Sequence, residues 1–210
     1  MGGEGDHVVM RKPTGADDDA CARLLVEVPG GFLEIAGNVP AAVRLAMAAF
    51  RSPRSALGRD VSTVAVVGER AVGLVVAVTS EQWRRRRVRT GLALLAAGDV
   101  RSRWRLIRRG PQEERLMPRI PPDALYVPAL AVDLGHRRRG IGSLLLDHAI
   151  GDARARGLAT VALDVRRDNA RAVRLYERHG FVTLSEHHRP AGHGMPEATS
   201  LRMVRTLADR

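Results

Sequence analysis

The chain has a single cysteine, Cys21, and a single lysine, Lys12, in 210 residues. One cysteine excludes an internal disulfide and any metal site built from several thiolates. Aromatic residues make up only 3%, too few for the stacking platforms that hold single-stranded nucleic acid, which argues against a nucleic-acid partner. No apolar run approaches the ~18 residues needed to span a bilayer. Met1 to Asp6 is glycine-rich and acidic and has none of the apolar character of a secretory signal. Internal repeats are absent. These gaps lead to the expectation of one cytoplasmic domain covering 1–210, without a membrane segment and without a metal.

What is present fits a folded enzyme. Hydrophobic residues are 45% and charged residues 27%, ordinary for a globular chain and enough for a real core. The net charge is +11, and 33 of the 34 basic side chains are arginine. Abundant arginine, alanine and glycine with almost no lysine is the imprint of a GC-rich genome. The charge that remains favours an anionic partner or cofactor.

Patterning predicts a mixed α/β chain. A strand over 7–13 ends at Pro13. Several cap candidates from Thr14 to Asp19 lead into a helix over 20–28 with Leu24 and Leu25 inward, and Pro29-Gly30-Gly31 breaks it. A second helix over 39–50 carries Val43, Met47 and Phe50 as its stripe. Strands at 62–67 and 71–79 flank Gly68-Glu69-Arg70 and read as a hairpin. The arginine-dense stretch 80–122 reads as a helical insertion, with its basic run Trp83 to Arg87 as a solvated face. A strand at 125–132 contains Pro128, which marks an edge, a bulge or the end of pairing. A helix over 141–155 follows, with Ile141, Leu144, Leu145 and Ala149 inward, then a strand at 160–165 and a helix capped by Asp168 or Asn169. Strands at 181–185 and 199–207 close the chain around a loop at 187–197. The result is a central mixed sheet of about seven strands flanked by helices, with a βαβ crossover in the middle.

Two stretches carry chemistry. In Arg137-Arg138-Arg139-Gly140-Ile141-Gly142-Ser143 the glycines let backbone approach a ligand. The helix that follows presents free N–H groups and its positive dipole end to an anion. No lysine is nearby, so this is not a P-loop, and Leu145 at the sixth position departs from a dinucleotide fingerprint. The second stretch runs from Asp168 to Phe181. Asn169 and Tyr176 are seven apart, almost two helical turns, and so share a face. Taken singly, the turn reads equally as an anion-binding element and as an ordinary glycine-rich turn with solvated arginines, and Asn169 and Tyr176 read as a cap and a core residue.

In this order, strand, arginine-glycine turn, helix, strand, then Asn169, Tyr176 and Gly180-Phe181, the chain resembles the GCN5-related N-acetyltransferase (GNAT) family. The resemblance covers most of the chain but does not account for 80–122. It implies the GNAT fold and acetyl-CoA as co-substrate. It implies direct attack by a primary amine of a small molecule or protein. The backbone of Leu130, Ala131 and Val132 would pair with the pantetheine arm, freed by splaying of the neighbouring strand. Residues Arg137 to Ser143 would cradle the pyrophosphate. Asn169 and Ala172 would line the pantetheine or phosphates, with Arg171 or Arg174 reaching the adenosine phosphate. Tyr176 would be the general acid: with a reference pKa near ~10, above the ~8.5 of a thiol, it holds its proton at neutral pH and can donate it, or a hydrogen bond, to the departing sulfur. No residue is marked as the base; Glu81 is a candidate and so is Glu34, both also readable as surface residues. Asp133 reads as structural. His187, His188 and His193 lack a helical ligand spacing and fit an acceptor border better than a metal site. A homodimer is left open. The competing class is a catalytically silent acyl-CoA sensor or nucleic-acid-associated regulator on the same fold.

Overall fold

The computed structural model describes residues 7–29, 31–116, 120–191 and 197–207. Seven strands form one sheet: β1 Val8–Arg11, β2 Ser62–Val67, β3 Arg70–Thr79, β4 Ala124–Val132, β5 Thr160–Arg166, β6 Val182–Arg189 and β7 Ala198–Thr206. Their order across the sheet is β1-β2-β3-β4-β5-β7-β6. Only β4 and β5 run parallel, so only they need a crossover, and helix α6, Ile141–Ala155, supplies it. The seven-stranded mixed sheet matches the expectation from the sequence.

Helices α1 Asp18–Val26, α2 Phe32–Ala36 and α3 Val39–Arg51 pack on one face, and α6 with α7 Ala170–Arg178 on the other. The central strands feed both cores by alternation. Leu74, Val76 and Val78 of β3 join the α1–α3 core, while Val72 and Val75 face α6. Burial on both sides explains why the hairpin reads as an almost unbroken apolar run.

Local chemistry sets the helix ends. Asn38 caps α3 by accepting from the Ala41 N–H at 2.9 Å, with Pro40 in the first turn. The acidic run at the start of α1 makes ion pairs and no side-chain cap of that helix. Asp17 takes the Arg11 guanidinium at 2.7 Å and the Thr14 N–H at 2.7 Å. Asp18 takes Arg51 and Arg59, each at 2.5 Å. Both aspartates are buried, so α1 starts two residues earlier than the cap signal implied. Helix α2 has only five residues and ends at Gly37, at φ 81°; so short a segment leaves no periodicity to read.

Three details differ from the pattern reading. In α3 the stripe is Leu45, Ala46, Ala49 and Phe50, and Val43 and Met47 are only half-buried. In α6 Leu144 faces solvent and Leu146 takes its inward place. Strand β6 runs on to Arg189, so His187 and His188 pair with β7 rather than lying in a loop; His193 falls outside the described residues.

Within 80–122 the structure places two helices, α4 Ser80–Ala97 and α5 Val100–Leu116, as expected for this stretch. A capping box between Thr79 and Gln82 starts α4 where β3 ends. Trp83 packs edge-on against Tyr126 of β4, ring centroids 4.9 Å apart. The first turn of the basic run is thereby anchored in the core and is not a stacking surface.

Pro128 makes the decisive irregularity. Val76 pairs with Ala129 but Val78 with Tyr126, so Val127 and Pro128 together oppose Ala77. This is a β-bulge, and it reverses the alternation of β4. Before it Tyr126 faces the α1–α3 core; after it Ala129 and Ala131 do, and Leu130 and Val132 turn toward α6 and α7.

Candidate functional site

Past the bulge, β4 loses its neighbour. Its last pair with β5 is Val127 with Leu163, while β5 continues alongside β7 to Arg166. The strands part there, and Leu130 and Val132 border the gap. In an antiparallel ladder alternate residues bond to the partner strand. The Asp133 N–H donates to Val72 at 2.8 Å. By alternation Ala131 and Ala129 also bond toward β3. Leu130 and Val132 therefore direct their N–H and C=O groups into the gap. One is engaged: the Val132 carbonyl accepts from Arg137 Nε at 2.9 Å.

The gap opens into a cleft of about 1190 Å³ between α1, α2, β4, α6 and α7. Of the residues the sequence nominates, Leu130, Ala131, Val132, Arg137, Arg138, Gly140, Ile141, Gly142, Ser143, Asn169 and Ala172 line it, and Arg139 does not. The turn into α6 is held by Asp133, whose carboxylate accepts from the Gly135 N–H at 3.1 Å and meets His136 Nδ1 at 3.0 Å. The His136 contact keeps that carboxyl below the usual range. Arg138, at φ 67°, and Gly140, at φ 81°, are both left-handed and bring the chain round onto the helix start. The first helical bond is Leu144 N–H to Gly140, so the N–H groups of Ile141, Gly142 and Ser143 precede the ladder and face outward from the helix end. Arg137 spans the cleft to Glu27 of α1 at 3.1 Å.

Asn169 caps α7, its Oδ1 accepting from the Ala172 N–H at 3.2 Å, and also lines the cleft. Tyr176 does not line it. Its ring lies in the α6–α7 core, 5.9 Å from Phe181, 7% exposed. Burial pushes its hydroxyl up to about 12. Arg171 reaches the cleft and Arg174 does not.

The two carboxylates named for the base part company. Glu81 stands exposed on the first turn of α4, paired with Arg85 at 2.5 Å, away from the cleft. Glu34 on α2 lines the cleft and holds Arg166 at 3.3 Å and Arg189 at 3.0 Å.

A third group escaped the sequence reading. Asp164 is the first residue of β5 beyond its last pairing with β4. It accepts from Tyr126 Oη at 2.7 Å and from Arg202 at 2.6 and 2.8 Å. Arg202 is 1% exposed and its Nη1 has no protein partner. The signal was available: a lone Asp in Val161-Ala162-Leu163-Asp164-Val165 and a lone Arg in Leu201-Arg202-Met203, each between apolar neighbours. Among the described residues no three potential ligands gather as a metal site. His187 and His188, adjacent on β6, point to opposite faces.

The sequence of residues 58–181 matches the family model described as "Acetyltransferase (GNAT) family". The "[Ribosomal protein bS18]-alanine N-acetyltransferase" of Salmonella typhimurium is 41% identical over 71 residues, 33% of this chain and 48% of that protein. The "Mycothiol acetyltransferase" of Beutenbergia cavernae is 44% identical over 79 residues, 36% of this chain and 25% of that protein. The matched stretches thus span at most about half the length of these relatives. Among solved structures, the N-acetyltransferase from Staphylococcus aureus Mu50 superposes with a TM-score of 0.67 at 15% identity, covering 94% of this chain and all of that one.

Proposed function

We propose that this chain, which belongs to the GNAT family of acetyltransferases, moves an acetyl group from acetyl-CoA to a primary amine. The observation that carries the reading is the open edge of β4 running straight into the start of α6. Leu130 and Val132 offer backbone donors and acceptors as a strand would, and the pantetheine arm carries the matching amides. Arg137 would exchange its bond to the Val132 carbonyl for the cofactor. At the end of that edge the N–H groups of Ile141, Gly142 and Ser143 meet the pyrophosphate at the positive end of the helix. Arg138 and Arg139 add charge nearby, Asn169 offers its amide N–H to the pantetheine, Ala172 gives it a small apolar wall, and Arg171 serves the adenosine phosphate.

With its phosphates at α6, the thioester lies toward the fork at Pro128. The amine attacks the thioester carbonyl, the C–S bond breaks, and the thiolate of CoA leaves. Tyr176 would supply the proton to that sulfur, a role that requires its buried hydroxyl, which does not line the cleft, to reach the fork; its raised pKa keeps it protonated throughout the neutral range. The amine must shed a proton to attack. Glu34 lines the cleft and Asp164 stands at the fork, so these replace Glu81 as the groups for that step, acting directly or through water. Both are held by arginine, which fixes their orientation.

Calorimetric titration with acetyl-CoA tests binding, and no heat at millimolar ligand would remove the reading. Tyr176→Phe is expected to cut kcat by about 10²-fold or more with acetyl-CoA affinity within about twofold. An unchanged kcat takes the acid role from Tyr176. Asp164→Asn and Glu34→Gln, each followed across pH, identify the base as the variant that loses the acidic limb of kcat/KM.

A further inference from the structure

The α4–α5 pair takes no part in the cleft, yet its outer side has a definite character. Helix α4 turns Trp83, Thr90 and Leu94 inward. Helical spacing then puts Val88 and Leu92 on the opposite side, and they are 63% and 61% exposed. Helix α5 buries Ser102, so Val100, Trp104 and Ile107, at i, i+4 and i+7, face away, with Val100 81% and Ile107 66% exposed. Five of the twelve large exposed hydrophobics among the described residues lie on these two helices. Arginines border both stripes: Arg84, Arg85 and Arg89 on α4, Arg101 and Arg108 on α5, all exposed. Over 80–116 the sequence has eleven arginines against four carboxylates. Arg108 lies 4.4 Å over the Trp104 ring, which pairs a cation with an aromatic face at the surface.

We propose that the outer side of α4–α5 is a docking face for a bilayer surface containing anionic phospholipid. Aliphatic side chains on successive turns, rimmed by arginine, suit the boundary between headgroups and acyl chains. The guanidinium groups suit lipid phosphates, and a half-exposed tryptophan suits the interfacial depth. Charge complementarity selects this occupant. A second copy would set two strongly basic faces against each other. A nucleic acid would use the arginines but leave Val88, Leu92, Val100 and Ile107 in water, at no gain. The contact is peripheral; among the described residues no helix is long and apolar enough to cross a membrane. The inference is independent of the acetyl-transfer reading.

The test is co-sedimentation of the full chain with vesicles of phosphatidylcholine alone and with vesicles holding about thirty mole per cent phosphatidylglycerol, at physiological salt. The expected result is partition onto the anionic vesicles at least about tenfold above the neutral ones. Leu92→Glu with Ile107→Glu should lower that partition about tenfold or more. The same variant should keep the wild-type melting temperature and acetyl-CoA binding, since both positions are exposed and outside the cleft. Arg84→Glu with Arg89→Glu should weaken it to a similar degree and steepen nothing else. Equal sedimentation with both vesicles, no sedimentation, or a Leu92/Ile107 variant that binds as wild type overturns the proposal. Duplex RNA binding that survives the Leu92/Ile107 change, without vesicle binding, also overturns it and reassigns the arginines.

Discussion

Replacing Arg202 with methionine keeps the approximate volume of the side chain and removes its charge, and the structure says what that should cost. Arg202 is 1% exposed and Asp164 14%, so water screens their pair little. In the variant Asp164 keeps only the Tyr126 hydroxyl at 2.7 Å. Losing one partner of such a pair leaves a buried charge uncompensated and typically costs about 3–5 kcal/mol. The lower end applies, because Arg202 Nη1 is already buried without a protein partner and that penalty disappears with the guanidinium. At roughly 2–4 °C per kcal/mol for a chain of this size, a loss of about 3 kcal/mol lowers the melting temperature by about 6–12 °C. The companion variant changes both residues, Arg202→Met with Asp164→Leu. It removes the stranded charge and should recover part of the loss, the rest staying because the buried Tyr126 hydroxyl is left without its acceptor. Circular-dichroism melts of the wild type, both single variants and the double at pH 7 complete the cycle. A single variant melting within about 2 °C of wild type, or a double that melts below Arg202→Met, refutes the account of the pair.

The remaining predictions concern other parts of the fold. Arg11 and the Thr14 N–H hold the Asp17 carboxyl at about 2, below its unfolded value, so its contribution is complete above pH ~4 and is lost as pH falls toward 2; at about 1.4 kcal/mol per pKa unit it amounts to about 2.5 kcal/mol. The melting-temperature gap between wild type and Asp17→Asn should therefore be full at neutral pH and close between pH 4 and 2, and a gap constant with pH would contradict this. A Cβ on Gly73 would stand 2.9 Å from Leu145 Cδ1 and 3.0 Å from Ile141 Cγ2. Gly73→Ala should cost about 1–3 kcal/mol and, by pushing on the first turn of α6, weaken acetyl-CoA binding in calorimetry. Gly140→Ala meets open space but keeps φ 81°, so backbone strain alone should cost about 1–2 kcal/mol; a loss equal to that of a steric clash would show the turn to be tighter than the structure has it.

Much of this was legible in the sequence because local signals agreed with the fold. The span 141–155 was readable to the residue, since Gly140 and Gly157 punctuate it and its apolar period is regular. The cleft-lining turn was legible for the same reason, as glycine and arginine at fixed spacing speak of local backbone and charge. Leu144 and Leu146 were confused because both satisfy a helical period and only the packing partner decides between them. Asp164, Tyr126 and Arg202 were missed because their partnership spans three strands far apart in sequence. Glu81 was misplaced for the opposite reason: it is next to β3 in the chain, yet α4 carries it away from the cleft, while Glu34, on a helix too short to foresee, is carried into it.

The bulge at Pro128 gives β4 a phase as well as a shape. Upstream of it, residues of even number look toward α1–α3; downstream, residues of odd number do. Smoothing the bulge out at constant length would slide Ala129 onward by one place along β3, leave every side chain chemically unchanged and yet exchange the two sides. Small alanines would then meet α6 and α7, and the leucine and valine would be driven into the opposite core. The backbone groups that now look into the gap would be consumed by β3. Point substitutions could not undo such a shift, because no single side chain carries it. The register of β4 on β3, and with it the open backbone edge at Leu130 and Val132, thus rests on the doubled residue at 127–128 staying where it is.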